Sequence, residues 1–258
     1  MAAAKRPISG APCWVSLATC DMEAAQEFYG PVLGWTFRPG RLGEDFCIAM
    51  TDGVPVAGIG AVSRRLGVAV AWTPFFGVGD ADTAAARIRE RGATLAIGPI
   101  ALGDGRAALA ADPGGAIFGL WEGSVHSSWH VAHGSPPARL ELRTRDAFAA
   151  AMFYGEVLEW ASEHPERCEV DYRDDAVTVE FGPHTVATIR GGGVESAPDP
   201  HVRPRWHVSF YVEDVDEVVR VAVEAGGTVA AAPEDSPRGR NAILRDRQGG
   251  LFTVQARK

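Results

Sequence analysis

From Trp14 to Thr19 the chain alternates: Val15 and Leu17 fall on one side, and Trp14, Ser16 and Ala18 on the other. A period of two predicts a β-strand with one face buried. Asp21 follows, and the spacing then changes. Ala24, Ala25, Phe28, Tyr29, Val32 and Leu33 make one apolar stripe at a repeat of 3.6 residues, which predicts an amphipathic helix. Asp21 suits its N-cap, because a carboxylate can accept from the exposed backbone N–H groups of the first turn. Short strands are expected next, around 46–50 and 56–62. The plan then restarts: a strand at 73–78, Asp80 as cap, a helix to Arg91 and Gly92 as its stop. Strands around 106–111 and 116–121 follow, with Asp112-Pro-Gly-Gly115 as the hairpin turn between them.

The whole plan occurs twice. At a constant offset of 125 residues, Leu17, Thr19, Asp21, Phe28, Tyr29, Gly30 and Trp35 match Leu142, Thr144, Asp146, Phe153, Tyr154, Gly155 and Trp160. At an offset of 134, Asp80, Gly92, Pro99, Arg106, Asp112 and Phe118 match Asp214, Gly226, Pro233, Arg240, Asp246 and Phe252. The nine extra residues fall in the Gly/Pro-rich loop 191–204. The chain therefore reads as an α+β protein of four βαβββ modules in two homologous halves: 1–124, a linker at 125–137, and 138–258.

Composition narrows the function classes. Of 258 residues 46% are hydrophobic and 22% charged, as in a globular protein. Lys and Arg total 25 against 33 Asp and Glu, and a net charge of −8 argues against nucleic acid and against anionic membrane surfaces. No apolar run has the length of a signal peptide core or a spanning helix. Cys13, Cys20, Cys47 and Cys168 include no C-x-x-C pair, which fits reduced thiols in a soluble, cytoplasmic protein. There is no P-loop, no G-x-S-x-G elbow and no dinucleotide fingerprint.

The strand–Asp–helix–Phe-Tyr opening and the Gly-Arg…Asp-Pro-x-Gly ending resemble the vicinal oxygen chelate superfamily, which holds glyoxalase I, extradiol dioxygenases and bleomycin-resistance proteins. The resemblance runs from about Pro12 to Gln255 and is nearest to tandem actinobacterial members, some of which accompany natural-product pathways. It implies two tandem domains, each a curved sheet forming a cup with helices outside. Catalytic members place metal ligands seven residues before the helix-capping Asp and seven after the Asp of the Asp-Pro turn. Carried over, those positions are Trp14, Thr73 and Gly119 in the first half, and Arg139, His207 and Thr253 in the second. Only His207 is a proper ligand type, and an arginine repels a cation. No metal and no cofactor is expected. A distorted His207/Glu141 site is the weaker alternative, and an Arg139–Glu141–His207 polar network is preferred. The linker histidines His126, His130 and His133 read as part of a solvated crossover.

Strand parity, counted from those positions, gives the inward residues. The first cup should show Trp14, Ser16, Thr73, Phe75, Gly119 and Trp121, with Gly119 opening space between flat indole faces. The second should show Arg139, Glu141, His207, Ser209, Thr253 and Gln255. Trp35, Trp72, Trp160 and Trp206 repeat between the halves and read as core. Arg106 and Arg240 are expected to bond carbonyls or Asp112 and Asp246. The leading function is metal-independent binding of an aromatic or polyketide-like small molecule, for sequestration or resistance or for help to a partner biosynthetic enzyme. The second is a tailoring enzyme of the lyase or oxygenase type, with His207 and Glu141 as catalytic groups or a substituted metal site. A third is a structural partner with filled cups. How the four modules pair stays open, and a monomer or homodimer is expected.

Overall fold

The computed structural model describes residues 6–160, 167–173, 176–192 and 203–257. The first half runs β1 (Pro12–Ala18), α1 (Met22–Leu33), β2 (Thr36–Pro39), β3 (Phe46–Thr51), β4 (Val54–Gly60), the short α2 (Ser63–Leu66), β5 (Ala71–Gly77), α3 (Ala81–Glu90), β6 (Thr94–Leu102), β7 (Gly105–Ala111) and β8 (Ile117–Glu122). The second runs β9 (Ala138–Arg143), α4 (Ala147–Leu158), β10 (Glu169–Arg173), β11 (Ala176–Phe181), β12 (His184–Arg190), β13 (Arg205–Val212), α5 (Val215–Glu224), β14 (Thr228–Ser236), β15 (Gly239–Arg245) and β16 (Leu251–Ala256).

The repeated aspartates set the helix starts. Asp21 accepts from the Ala24 N–H at 3.0 Å, Asp80 from Thr83 at 2.6 Å, Asp146 from Ala149 at 2.8 Å and Asp214 from Asp216 at 2.9 Å. Each satisfies an N–H that the helix leaves without a partner. At their other ends the first and third modules differ. α1 stops at Gly34 with φ 66°, whereas α4 stops at Glu159 with φ 59°, a left-handed conformation that a side chain resists.

Among the described residues the strands form two eight-stranded sheets of the same order: β2-β3-β4-β1-β5-β8-β7-β6 and β10-β11-β12-β9-β13-β16-β15-β14. Each sheet takes its strands from one half of the chain. Helices pair differently. α1 packs on α5, and α3 on α4. The chain accordingly packs as two compact units, one of residues 1–14 and 74–206, the other of 15–73 and 207–258.

Each unit has its own aromatic core on the helix side of the strands, and the two cores are built alike. In the unit of 15–73 and 207–258, Tyr29 donates to Asp246 Oδ2 at 2.8 Å and accepts from the Trp72 indole N–H at 3.0 Å. Phe28, Trp35 and Phe252 surround it, and Phe210 packs on Trp35 and Trp72. In the unit of 1–14 and 74–206, Tyr154 donates to Asp112 Oδ2 at 3.0 Å and accepts from Trp206 at 2.9 Å, among Phe76, Phe118, Phe153 and Trp160. Burial pushes both phenols well above their ordinary pKa, and the neighbouring carboxylates push the same way.

Two expectations are corrected. Arg106 and Arg240 do not bond Asp112 and Asp246. They fork onto Asp82 (2.7 and 2.9 Å) and Asp216 (2.7 and 2.9 Å), in the first turns of α3 and α5. Asp112 and Asp246 are instead taken by the tyrosines and by turn N–H groups of Ala116 and Gly250, both at 2.8 Å. The stretch around the linker histidines is not a solvated crossover either. It makes two 3-10 turns, Ser127–Trp129 and Val131–His133, and buries Trp129 and Val131. An indole that size gains more by burial than a polar-looking sequence around it suggests. Of the loop 191–204, which holds the nine extra residues, positions 193–202 lie outside the described residues.

Candidate functional site

Burial follows the alternation of the sequence. On β1, Val15 and Leu17 are fully buried, while Trp14 and Ser16 are half-buried; on β9, Leu140 and Leu142 are fully buried, while Arg139 and Glu141 are half-buried. The half-buried series lies on the sheet faces away from the helices. The expected inward residues divide between the two compact units, so each unit is described separately.

The unit of 1–14 and 74–206 holds Trp14, Phe75, Gly119, Trp121, Arg139 and Glu141. β5 and β8 run parallel with Phe75 opposite Gly119, and β7 sets Leu109 against Gly119 and Ala107 against Trp121. The Phe75 ring lies directly over Gly119, where any Cβ would collide with it. Gly119 therefore does not open space: the missing side chain is what lets Phe75 lie flat on the sheet. Trp121 is held on the same sheet over Gly105, whose Cβ would stand 2.6 Å from the indole, and its N–H reaches the Ser124 carbonyl at 3.0 Å. The Trp14 ring is 5.1 Å from that of His126 and 6.0 Å from that of Trp129. Three aromatic faces are thus fixed in place.

The same unit carries a charged cluster on β9 and β12. Glu141, only 13% exposed, is 3.1 Å from Arg143, 3.3 Å from Arg190 and 3.8 Å from Arg139. Thr188 lies beside Glu141 in the parallel register, and its hydroxyl accepts from Arg139 at 3.3 Å. Burial alone would push the Glu141 carboxyl up, but the three guanidiniums outweigh it and hold it below the usual range. Arg139 and Glu141 were expected together; Arg143, Arg190 and Thr188 were missed. The Arg-x-Glu-x-Arg alternation of 139–143 carried a signal for Arg143, whereas Arg190 needs the strand register.

The unit of 15–73 and 207–258 holds Ser16, Thr73, His207, Ser209, Thr253 and Gln255. Ser16 donates to the Gly58 carbonyl at 3.4 Å. Ser209 pairs with Thr253 in the parallel β13–β16 ladder, and His207 is two residues earlier on the same face. The Gln255 amide donates to the Arg238 carbonyl at 2.7 Å. This face is polar, with His207 half-buried and Thr73, Ser209, Thr253 and Gln255 buried.

A resident metal does not fit these residues. In the first unit the three positions that superfamily enzymes use for ligands are an indole, a glycine covered by a phenyl ring, and a guanidinium. In the second they are two threonines and one histidine. Among the described residues no three His, Cys, Asp or Glu side chains come together, and a divalent ion needs three or four such donors.

Comparison with known proteins agrees with the fold. A family model described as a glyoxalase-like domain matches residues 139–255. The anthracycline biosynthesis protein DauV of Streptomyces sp. strain C5 is 35% identical over 95% of this chain and 92% of its own length. The CFP32 protein of Mycobacterium bovis is 32% identical, covering 95% and 94%. Among solved structures, the 2,3-dioxygenase LapB of Pseudomonas sp. KL28 aligns over 98% of this chain and 94% of its own, with a TM-score of 0.60 and 15% identity. The Mn(II)-bound glyoxalase of Novosphingobium aromaticivorans aligns over 96% and 82%, with a TM-score of 0.56 and 14% identity. With its four βαβββ modules and relatives matched along nearly their full length, the chain belongs to the glyoxalase-like proteins of the vicinal oxygen chelate superfamily.

Proposed function

We propose that this protein binds a planar aromatic or polyketide-like metabolite without a metal ion, as an accessory to natural-product biosynthesis. The observation that carries the reading is the set of aromatic faces, Trp14, Phe75 and Trp121, held half-buried on sheet faces away from the helices. Offset stacking of an indole on an aromatic ligand adds roughly 0.5–1.5 kcal/mol beyond area burial. Glycines at 105 and 119 fix the rings in advance, which reduces the ordering cost of binding. The likeness to DauV, named for anthracycline biosynthesis, supports a polycyclic ligand. In this reading the protein delivers its ligand to, or shields it beside, a biosynthetic enzyme in the cytoplasm.

The test is tryptophan fluorescence titration with hydroxylated anthraquinones. Saturable quenching is expected, weakened by Trp14→Leu and by Trp121→Leu. No saturable binding by any planar polycyclic compound would sink the proposal. The second reading is a tailoring enzyme, favoured by His207 standing half-buried beside Ser209 and Thr253. Mass spectrometry of the bound ligand after incubation separates the two: an altered ligand that His207→Ala leaves unaltered supports catalysis.

A further inference from the structure

The charged cluster on β9 and β12 has no structural need behind it. The first half of the chain builds the same strands with the same parallel register, Ser16 opposite Gly58 and Ala18 opposite Gly60. At the corresponding places the second half sets Glu141 opposite Thr188 and Arg143 opposite Arg190. Trp14, Ser16, Ala18, Gly58 and Gly60 are all uncharged, so the fold is complete without arginines here. Yet the second half places three, and among the described residues Glu141 is the acid paired with each. Among the described residues, one carboxylate faces three guanidiniums.

Arg139 is the least well served of the three. Its side chain is 18% exposed, against 50% for Arg143 and 42% for Arg190. Its contacts are a hydroxyl at 3.3 Å and a carboxylate oxygen at 3.8 Å, neither of them a close, forked pair. A guanidinium has five N–H donors in a planar fork that matches a carboxylate edge to edge. Held on a sheet face and poorly paired, it is ready for an anion from outside. It also occupies a position where superfamily enzymes put a metal ligand.

We infer that Arg139, with Arg190 and Arg143 flanking it and Glu141 orienting them, forms a subsite for a carboxylate carried by the ligand. The inference rests on the ligand-binding reading above and narrows it to an aromatic acid. Arg139 makes the forked contact, Arg190 and Arg143 extend positive charge from the sheet towards solvent, and the Thr188 hydroxyl fixes the plane of the guanidinium. Glu141 keeps three like charges together and sets the strength of the site, because it offsets one of them.

The experiment compares 2-naphthoate with 2-naphthamide, which share a ring system and differ in charge, by titration calorimetry on the full chain. The acid is expected to bind about ten-fold more tightly or better, the scale of a charge-assisted hydrogen bond, and to lose that preference at high salt. Arg139→Met should abolish the difference between acid and amide. Glu141→Gln should raise the acid's preference. Arg190→Gln, half exposed, should lower it by a smaller factor and decides the matter if Arg139→Met fails to fold. Equal binding of acid and amide overturns the subsite but leaves the binding reading standing. A preference that survives Arg139→Met, or Arg190→Gln where that variant decides, also overturns it. Binding of neither probe overturns the aromatic-acid subsite, and the anthraquinone titration then decides the binding reading on its own.

Discussion

Replacing Tyr154 by phenylalanine removes one oxygen that serves two partners. The hydroxyl donates to Asp112 at 3.0 Å and accepts from the Trp206 indole at 2.9 Å, in a core where Tyr154 is fully buried. A hydrogen bond to a charged group is worth about 1.5–3 kcal/mol, and a buried donor left without an acceptor costs about 1–3 kcal/mol. The ring itself is retained, so no cavity term of note is added. The expected loss is about 3–4 kcal/mol at neutral pH, measured by urea denaturation followed by far-ultraviolet circular dichroism. The pH dependence is a sharper test. Burial raises the Asp112 pKa above its ordinary value, and the Tyr154 hydrogen bond pulls the other way. Without that bond the native pKa rises further. A carboxyl with a raised native pKa costs stability as pH climbs from the unfolded value, about 3.9, through the native one. The variant's deficit must therefore be largest at neutral pH and shrink on acidification through that window. Asp112→Asn should also cost less in the Tyr154→Phe background than in the wild type, since the two share one interaction. A loss under about 1 kcal/mol, or a deficit independent of pH, would refute the assignment of this contact.

Three other substitutions or treatments have definite outcomes. Gly119→Ala forces the Phe75 ring off the sheet and should destabilise by about 1–3 kcal/mol, with weaker quenching by anthraquinones; a neutral change in melting temperature and affinity contradicts the described packing. Glu159→Gly relaxes a left-handed cap at the loss of a half-exposed pair with Arg87 at 2.8 Å, so a net gain of about 0.5–1 kcal/mol is expected in thermal denaturation. Treatment with Ellman's reagent should modify the half-buried Cys20 first. Cys13, Cys47 and Cys168 are buried, burial pushes their thiols up, that of Cys168 to about 12, and they should react only on unfolding.

The modules were legible because their signals are local. Alternation, a capping aspartate and an apolar stripe each sit within one element, and the duplication displays them again. Partners distant in sequence were not legible. The Phe-Tyr pair and the aspartate of the last hairpin turn were visible as repeated residues, yet nothing local says that Tyr29 bonds Asp246 rather than the aspartate of its own half. Gly119 was misread for a similar reason. An absent side chain suggests a hole, but in a close-packed sheet a neighbour takes the place, here Phe75. The linker shows the limit of composition: Ser, His and Gly read as solvated, and Trp129 overrode them. In the charged cluster, the alternation of 139–143 was present in the sequence, while the addition of Arg190 depends on a parallel register that only the folded strands define.

The exchange of helix partners between the halves bears on how the chain is made. Tyr29 leaves the ribosome well before its carboxylate partner, Asp246, which follows 217 residues later. At roughly 5–20 residues per second, α1 spends on the order of ten to forty seconds without its final neighbours. Residues 74–206 are completed first, and with 1–14 they make a compact unit in which the Tyr154–Asp112 bond spans only 42 positions. Synthesis thus favours closing the unit of 1–14 and 74–206 before the other, with α1 among the last helices to be buried. During that interval the apolar stripe of α1 lacks the α5 face on which it packs.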